Sequence, residues 1–455
     1  MADGDPYYAE SLFCNRRSSS MIRLANVIVA HADTGAAEAL LARLSHNGYH
    51  AMHATSRDQV LQLARYEHPD LILVGDVGED SIGLGALLKQ EPLLADIPMV
   101  LLVDRVTADS AEKACAAGLD DTISMHDDDV ELLSRLRPLV RLATMHAELR
   151  HRACAAQPFG VAARERASVP EGTRPCILVV GHDRDGVGAI LGAAAEVISS
   201  ANLYDAESLL EHRNFDAAVV TTDGDLEGYL AFTSQVRNNP RLFNLPMVLV
   251  VDKGVPAVDV YRRGASRVLP RPLDLGILRA SVLGMVRRQQ LRWSIRGALF
   301  ESLTEQTRDP LTGVYGRAYL DAYLAERLEI AKTHDRHLAV VFFYVPNIEG
   351  VRSHFGDDAA EHLAQQLGQW ITGLLRAEDL TALYAKNQFC VVLPDTPTVE
   401  AEVVMHRIAG VLAYTDFAVR EVYQPVKVWV QVACTDAKTT DTLETLLARV
   451  QAKLD

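Results

Sequence analysis

IPMVLLVDR at residues 97–105 and LPMVLVVDK at residues 245–253 are two copies of one pattern: a proline, five apolar residues, an aspartate and a base. Neither copy alternates apolar with polar residues, which marks a strand covered on both faces. Outward from the first copy, NVIVA (26–30), YHAMHA (49–54), PDLILVG (69–75) and TISM (122–125) read as further strands. Between them lie the helical stretches AAEALLARLSHNG (36–48), RDQVLQLARYEH (57–68), IGLGALLKQEPLL (82–94) and SAEKACAAG (110–118), and a longer helix from residue 128 closes the unit. Such alternation predicts a parallel sheet with helices on both faces. The second copy sits in a similar frame, with strands CILVVG (176–181), NFDAAVVTT (214–222) and SRVLPRPLD (266–274) and helices GVGAILGAAAEVISS (186–200) and VDVYRRG (258–264).

The 455 residues carry 45 basic and 60 acidic side chains, a net charge of −15. That balance argues against a nucleic-acid or anionic-membrane partner, since both select a basic face. No apolar run reaches the ~18 residues of a membrane span, so no membrane insertion is expected. Cys14, Cys115, Cys154, Cys176, Cys390 and Cys434 form no C-x-x-C pair, and the 15 histidines show no ligand spacing. The expectation is a cytoplasmic protein with reduced thiols and no metal site.

Residues 1–21 are polar and aperiodic and read as a flexible tail; residues 156–174, rich in Pro, Gly, Ala and charge, read as a linker. RASVLGMVRRQQLRWSIRGALF (279–300) has five arginines and no acid. It reads as a solvated connector helix with an apolar stripe through Leu278, Val282, Met285 and Val286. The rest changes character. DPLTGVYGRAYLDAYLAERLEIAK (309–332) is a turn and helix, HLAVVFFYV (337–345) a strand, and AAEHLAQQLGQWITGLLRAED (359–379) a helix. LTALY (380–384) and FCVVLP (389–394) are separated only by AKNQ, which is hairpin spacing. A helix over 398–415, the alternating strand VKVWVQVAC (426–434) and a last helix over 442–454 complete an α+β unit.

Two receiver-sized βα repeats followed by Asp309-Pro310-Leu311-Thr312-Gly313 resemble the PleD-type response regulators, in the order receiver, receiver, GGDEF. The resemblance implies α/β plus α+β architecture: two CheY-like doubly wound receivers and a nucleotidyl-cyclase-like GGDEF domain. It implies receiver 1 over 22–155, receiver 2 over 175–290, a connector helix over 291–307 and the GGDEF domain over 308–455. Each chemical site of that family can be checked against this chain. A phosphorylatable receiver needs an acceptor Asp, an acidic pair for Mg²⁺, a hydroxyl residue and a Lys. Here the acceptor positions are Gly75 and Thr221, and the acidic-pair positions are His31 and Ala32 in one unit, Gly181 and His182 in the other. The hydroxyl positions are Val103 and Val251, and Met125-His126 and Arg271-Pro272 stand at Lys-Pro. Nearby acids (Asp33, Asp76, Asp183, Asp223) are displaced by at least one position, and a one-residue slip in a strand reverses the side chain's face. Asp76 is left as a phospho-acceptor only if a strand-end bulge re-aims it. Both receivers read as structural, for dimerisation or docking.

The cyclase signature is degenerate too. The hairpin positions are Ala385, Lys386, Asn387 and Gln388, and the first-strand metal positions fall on Tyr344 and Pro346. Arg352 stands at the guanine-reading Asn, while Asp358 keeps its identity. Neutral amides are poor Mg²⁺ ligands, so no catalytic residues and no metal are expected. One site of the family survives. Arg376-Ala377-Glu378-Asp379 is an R-x-x-D at the family's spacing before the hairpin, with Arg407 where such domains place a second ligand-binding Arg. Arg213–Asp216 and Arg271–Asp274 satisfy the same pattern by chance. An Arg fork suits a guanine O6/N7 edge or a phosphate, and an Asp accepts from guanine N1–H and N2–H. The resemblance therefore implies a cyclic di-GMP receptor without cyclase activity, similar to alphaproteobacterial cell-cycle effectors. It implies as partners the ClpXP protease, the regulator CtrA and the accessory factor RcdA, a homodimer through the receivers, and action at the cell pole. A ligand-independent scaffold and a residual diguanylate cyclase are the alternatives.

Overall fold

Strand β1 (Asn26–Ala30) sends Val27 and Val29 to one face of its sheet and Ile28 and Ala30 to the other, all fully buried. Burial on both faces requires helices on both, and the chain supplies them. The computed structural model describes residues 24–454 except 79, 92–93, 170–171, 240 and 421, so the tail expected over residues 1–21 lies outside the described residues. After β1 come α1 (Thr34–His46), β2 (His50–Ala54), α2 (Arg57–Glu67), β3 (Leu71–Val74), α3 (Ser81–Gln90), β4 (Met99–Val103), α4 (Ala108–Ala116), β5 (Asp121–Ser124) and α5 (Asp129–Ala156). The strands are parallel in the order β2-β1-β3-β4-β5. Helix starts are set by side-chain caps: Asp33, Ser56, Thr107 and Asp128 each accept from a first-turn N–H.

The second unit holds β6 (Cys176–Val180), α6 (Val187–Gly192), β7 (Glu196–Ser200), α7 (Leu203–His212), β8 (Ala217–Thr221), α8 (Leu226–Asn238), β9 (Met247–Val251), α9 (Ala257–Arg262), β10 (Arg267–Pro270) and α10 (Leu275–Leu299). Its order, β10-β9-β8-β6-β7, repeats the first unit's. The stretch expected as one helix over 186–200 is a short helix and a strand. Its run of alanines is apolar at either period, and β-branched Val197 and Ile198 favour pairing beside β6.

The third unit is α11 (Arg317–Thr333), β11 (Leu338–Tyr344), α12 (Asn347–Phe355), α13 (Asp357–Gly373), β12 (Leu380–Ala385), β13 (Gln388–Pro394), α14 (Thr398–Tyr414), β14 (Gln431–Asp436) and α15 (Leu443–Leu454). Its antiparallel sheet runs β12-β13-β11-β14. Three boundaries differ from expectation. α13 stops at Gly373, so the R-x-x-D lies on a turn. The hairpin loop is only Lys386-Asn387, with Ala385 already paired to Gln388. The last strand pairs only from Gln431, because β11 ends at Tyr344 and Pro346 has no N–H to continue the ladder. Trp429 N instead donates to Asn347 Oδ1 at 2.6 Å.

The units pack closely on one another. Helix α10 is no solvated connector. Leu278, Val282, Met285 and Val286 are buried in the core of the second unit. Its arginines turn to the first unit, where Arg287 donates to Gly118 O (3.2 Å) and Leu119 O (2.5 Å), and Arg288 to Asp120 O (3.0 Å). Guanidinium groups are well suited to carbonyls left unpaired beyond a helix C-terminus. From α9, Tyr261 OH donates to Glu131 on α5 at 2.9 Å. Beyond the first sheet, α5 continues across the third unit, where Ala155 and Ala156 join the cluster of Tyr319, Leu320, Tyr323 and Leu324. The segment after it, expected as a linker, is pinned there too: Phe159 and Val161 pack against that cluster, and Arg164 pairs with Glu301.

Candidate functional site

The R-x-x-D turn is built by its own aspartate. Where α13 ends, Asp379 Oδ2 accepts from Arg376 N at 2.9 Å, and Asp379 N donates back to Arg376 O at 3.2 Å. The exposed Arg376 side chain projects from this turn. Arg407, also exposed, reaches it from α14, its Nη2 donating to Leu374 O at 3.0 Å. Arg376 and Asp379 thus share one turn, and Arg407 reaches the end of α13 that leads into it. Asp379 is 9% exposed. Burial, reinforced by neighbouring Glu378, pushes its carboxyl up to about 7, against the opposing charge of Arg376.

Three arginines that the sequence reading did not single out complete the surroundings. Arg141 Nε donates to buried Glu378 at 2.9 Å. Arg152 Nη2 donates to three successive carbonyls, Ala377 O (3.2 Å), Glu378 O (2.9 Å) and Asp379 O (2.8 Å). Arg292 of α10 is pushed down to about 9 by burial, with Arg141 adding to the shift and Glu378 opposing it. The signal for the first two was the length of α5, 28 residues, too long for one small sheet. The turn therefore meets a junction of all three units that is lined by arginines.

The cyclase positions expected to be degenerate lie at the opposite end of β11. Tyr344 pairs with Gln388 across the ladder. Asn387 holds the hairpin with φ 62°, a left-handed conformation that Asn tolerates, and its carbonyl accepts from Val345 N at 2.9 Å. Lys386 pairs with Glu349 at 2.9 Å, and buried Gln388 donates to Gln451 at 2.8 Å. Arg352 is taken up by Asp357, and Asp358 faces solvent. Beside Pro346 and Asn347, an open groove of about 540 Å³ runs past Gly350, Phe355 and Trp429. Among the described residues no cluster of three or more His, Cys, Asp or Glu could hold a metal ion.

In the first unit a Cβ on Gly75 would lie 2.7 Å from the His31 ring and 2.8 Å from Ala30 O, so this backbone leaves no room for a side chain there. Asp33 caps α1, and Asp76 Oδ1 accepts from Gly78 N at 2.8 Å. In the second unit Thr221 is fully buried, its hydroxyl donating to Val180 O at 2.9 Å. Asp183 caps α6 through Val187 N and Gly188 N, both at 2.7 Å, and Asp223 pairs with Arg184 at 2.9 Å. Arg271 fills the Lys position by bridging Asp185 (2.9 Å) and Asp252 (3.0 Å). Each displaced acid thus already has a partner.

Two doubly wound parallel sheets of receiver type followed by a nucleotidyl-cyclase-like sheet define the receiver–receiver–GGDEF architecture. Residues 306–455 match the family model of the diguanylate cyclase GGDEF domain. Over the whole length, the chain is 25% identical across 420 residues to the response regulator PleD of Caulobacter vibrioides, covering 90% of this chain and 92% of PleD. A stretch of 106 residues, 23% of this chain, is 29% identical to the phosphate regulon transcriptional regulatory protein PhoB of Pseudomonas aeruginosa and covers 46% of it. A further 108 residues, 24% of this chain, are 28% identical to the cyclic di-GMP phosphodiesterase NbdA of the same species, covering 14% of it. The chain is a protein of cyclic di-GMP-related signalling. Among its described residues no helix is long and apolar enough to cross a membrane.

Proposed function

We propose that this chain is a cyclic di-GMP receptor without cyclase activity, similar to the PopA type of effector. It would bind the dinucleotide at Arg376, Asp379 and Arg407 and pass its occupancy to docked proteins. By that resemblance the partners would be ClpXP, CtrA and RcdA, met at the cell pole. The observation that carries the reading is that Arg407 reaches the end of α13 leading into the Arg376–Asp379 turn, with Arg141 bonded to Glu378 in that turn. Lack of turnover is supported by the chemistry of the replaced positions, since Tyr344, Pro346, Asn387 and Gln388 offer no anionic ligand for Mg²⁺.

Calorimetric titration with cyclic di-GMP tests the reading. Arg376→Ala removes a charge-assisted contact worth roughly 1.5–3 kcal/mol, about 10- to 150-fold in affinity. Arg213→Ala, which loses an exposed ion pair with Glu196 in the second receiver, is the control and should bind like wild type. Equal losses from both variants sink the assignment. One observation favours the scaffold alternative: Asp379 already closes its own turn, so the motif has a purely structural use. In that case wild type shows no heat of binding. Incubation with GTP and Mg²⁺ should yield no cyclic di-GMP, and appreciable product would establish the residual cyclase instead.

A further inference from the structure

The backbone of the R-x-x-D turn is held from another domain. Arg152, on the part of α5 that runs beyond the first sheet, is 3% exposed, and its Nη2 bonds the carbonyls of residues 377, 378 and 379. Its other edge is fixed, with Nε donating to Glu148 Oε1 at 3.1 Å. Glu148 is in turn fixed by the GGDEF domain, accepting from Tyr323 OH at 2.5 Å and lying 3.8 Å from Arg327 Nε. Tyr319 OH donates to Arg152 O at 3.1 Å. The guanidinium is thus held on both sides and has little freedom to follow a moving turn. Moving Ala377, Glu378 or Asp379 relative to α5 would break at least one of its three bonds.

We propose that Arg152 is a positioning residue for the ligand turn. By holding three successive carbonyls it sets the spacing of Arg376 and Asp379, and so makes dinucleotide affinity depend on an arginine of the first receiver that touches no ligand. The inference rests on the proposal that cyclic di-GMP binds at this turn. A residue that only stabilised the domain interface would lower the thermal midpoint and leave the affinity of the folded protein unchanged. Loss of a charged hydrogen-bond donor that preorganises a site is expected to weaken binding by about tenfold or more.

The test is calorimetric titration of the full chain with cyclic di-GMP, with thermal midpoints measured in parallel. Arg152→Met should weaken binding about tenfold, and Arg152→Lys, which restores a donor, should recover part of the loss. Arg287→Met loosens a different domain interface, losing its bonds to the carbonyls of Gly118 and Leu119 without touching the turn or the groups that hold Arg152; it should lower the midpoint yet bind as wild type does. If Arg152→Met is folded and binds like wild type, the inference is wrong and the ligand site stands. Absence of wild-type binding overturns the site itself, and this inference with it. Should Arg152→Met not fold, hydrogen exchange on wild type decides: cyclic di-GMP should slow exchange across residues 148–156, and unchanged exchange there counts against the proposal.

Discussion

Asp379 serves two ends that oppose each other. Its carboxyl is buried beside Glu378 and pushed up to about 7, so between pH 4 and 7 the folded chain binds a proton that the unfolded chain, with an ordinary aspartate near 3.9, releases. Stability from this group is therefore greatest below pH 4, falls as pH rises to about 7, and stays reduced above. Asp379→Asn should raise the thermal midpoint at pH 8 while changing little at pH 4, and it should weaken cyclic di-GMP binding, since an amide cannot accept both guanine N–H groups. A melt showing no pH-dependent gain would place the carboxyl in a wetter setting. His146 works in the opposite direction. Buried between Asp96, Arg150, Lys89 and Asp120 with no partner for either ring nitrogen, it is pushed down to about 4. Its folded state stays neutral while the unfolded chain protonates below about 6.5, so stability is lost as pH falls from 6.5 towards 4. His146→Leu should gain roughly 2 kcal/mol over wild type at pH 5 relative to pH 8, measured by denaturant unfolding.

At the scale of elements, the hairpin bears on the proposed lack of cyclase activity. Gln388 points into a buried contact with Gln451. Gln388→Glu would put a carboxylate there with no cation, costing roughly 1–3 kcal/mol, and paired with Asn387→Glu should still give no product from GTP. On the proposed reading, Tyr344 and Pro346 supply no anionic ligand at the other half of the family's metal site. The same elements show what could be read from the sequence. Strands such as VIVA and LILV were legible because a fully buried parallel strand is an apolar run of characteristic length. β7 was not, because Ala-rich text carries no period and only pairing with β6 decides it. The proposed ligand residues Arg376 and Asp379 come from their spacing before the hairpin, and Arg407 from its place in the helix after it. Arg141, Arg152 and Arg292 were not, since their role depends on two helices meeting a turn far away in sequence.

At the scale of the whole molecule, the fourth and fifth helices of each receiver are turned towards the other receiver within one chain, through α4, α5, α9 and α10. A homodimer through the receivers would have to use other faces. The interface between α5 and the GGDEF domain is sealed by charge: Glu148 is 1% exposed between Arg152 and Arg327. Glu148→Ala leaves two buried guanidinium groups without their acid, which costs roughly 3–5 kcal/mol. Differential scanning calorimetry should then show the GGDEF domain melting ahead of the receivers. A single transition at the wild-type temperature would mean that the interface contributes nothing.

The reach of α5 also has a consequence for synthesis. Arg152 and its first carbonyl partner are 225 residues apart. At about 5–20 residues per second, the far half of this helix leaves the ribosome roughly 10–45 s before the turn it grips exists. For the first part of that interval, until residues 295–299 emerge, Leu142, Met145 and Leu149, which later meet Ile295, Ala298 and Leu299, present an apolar stripe to solvent. A nascent chain stalled after residue 160 should bind hydrophobe-seeking chaperones, and one extended past residue 380 should release them.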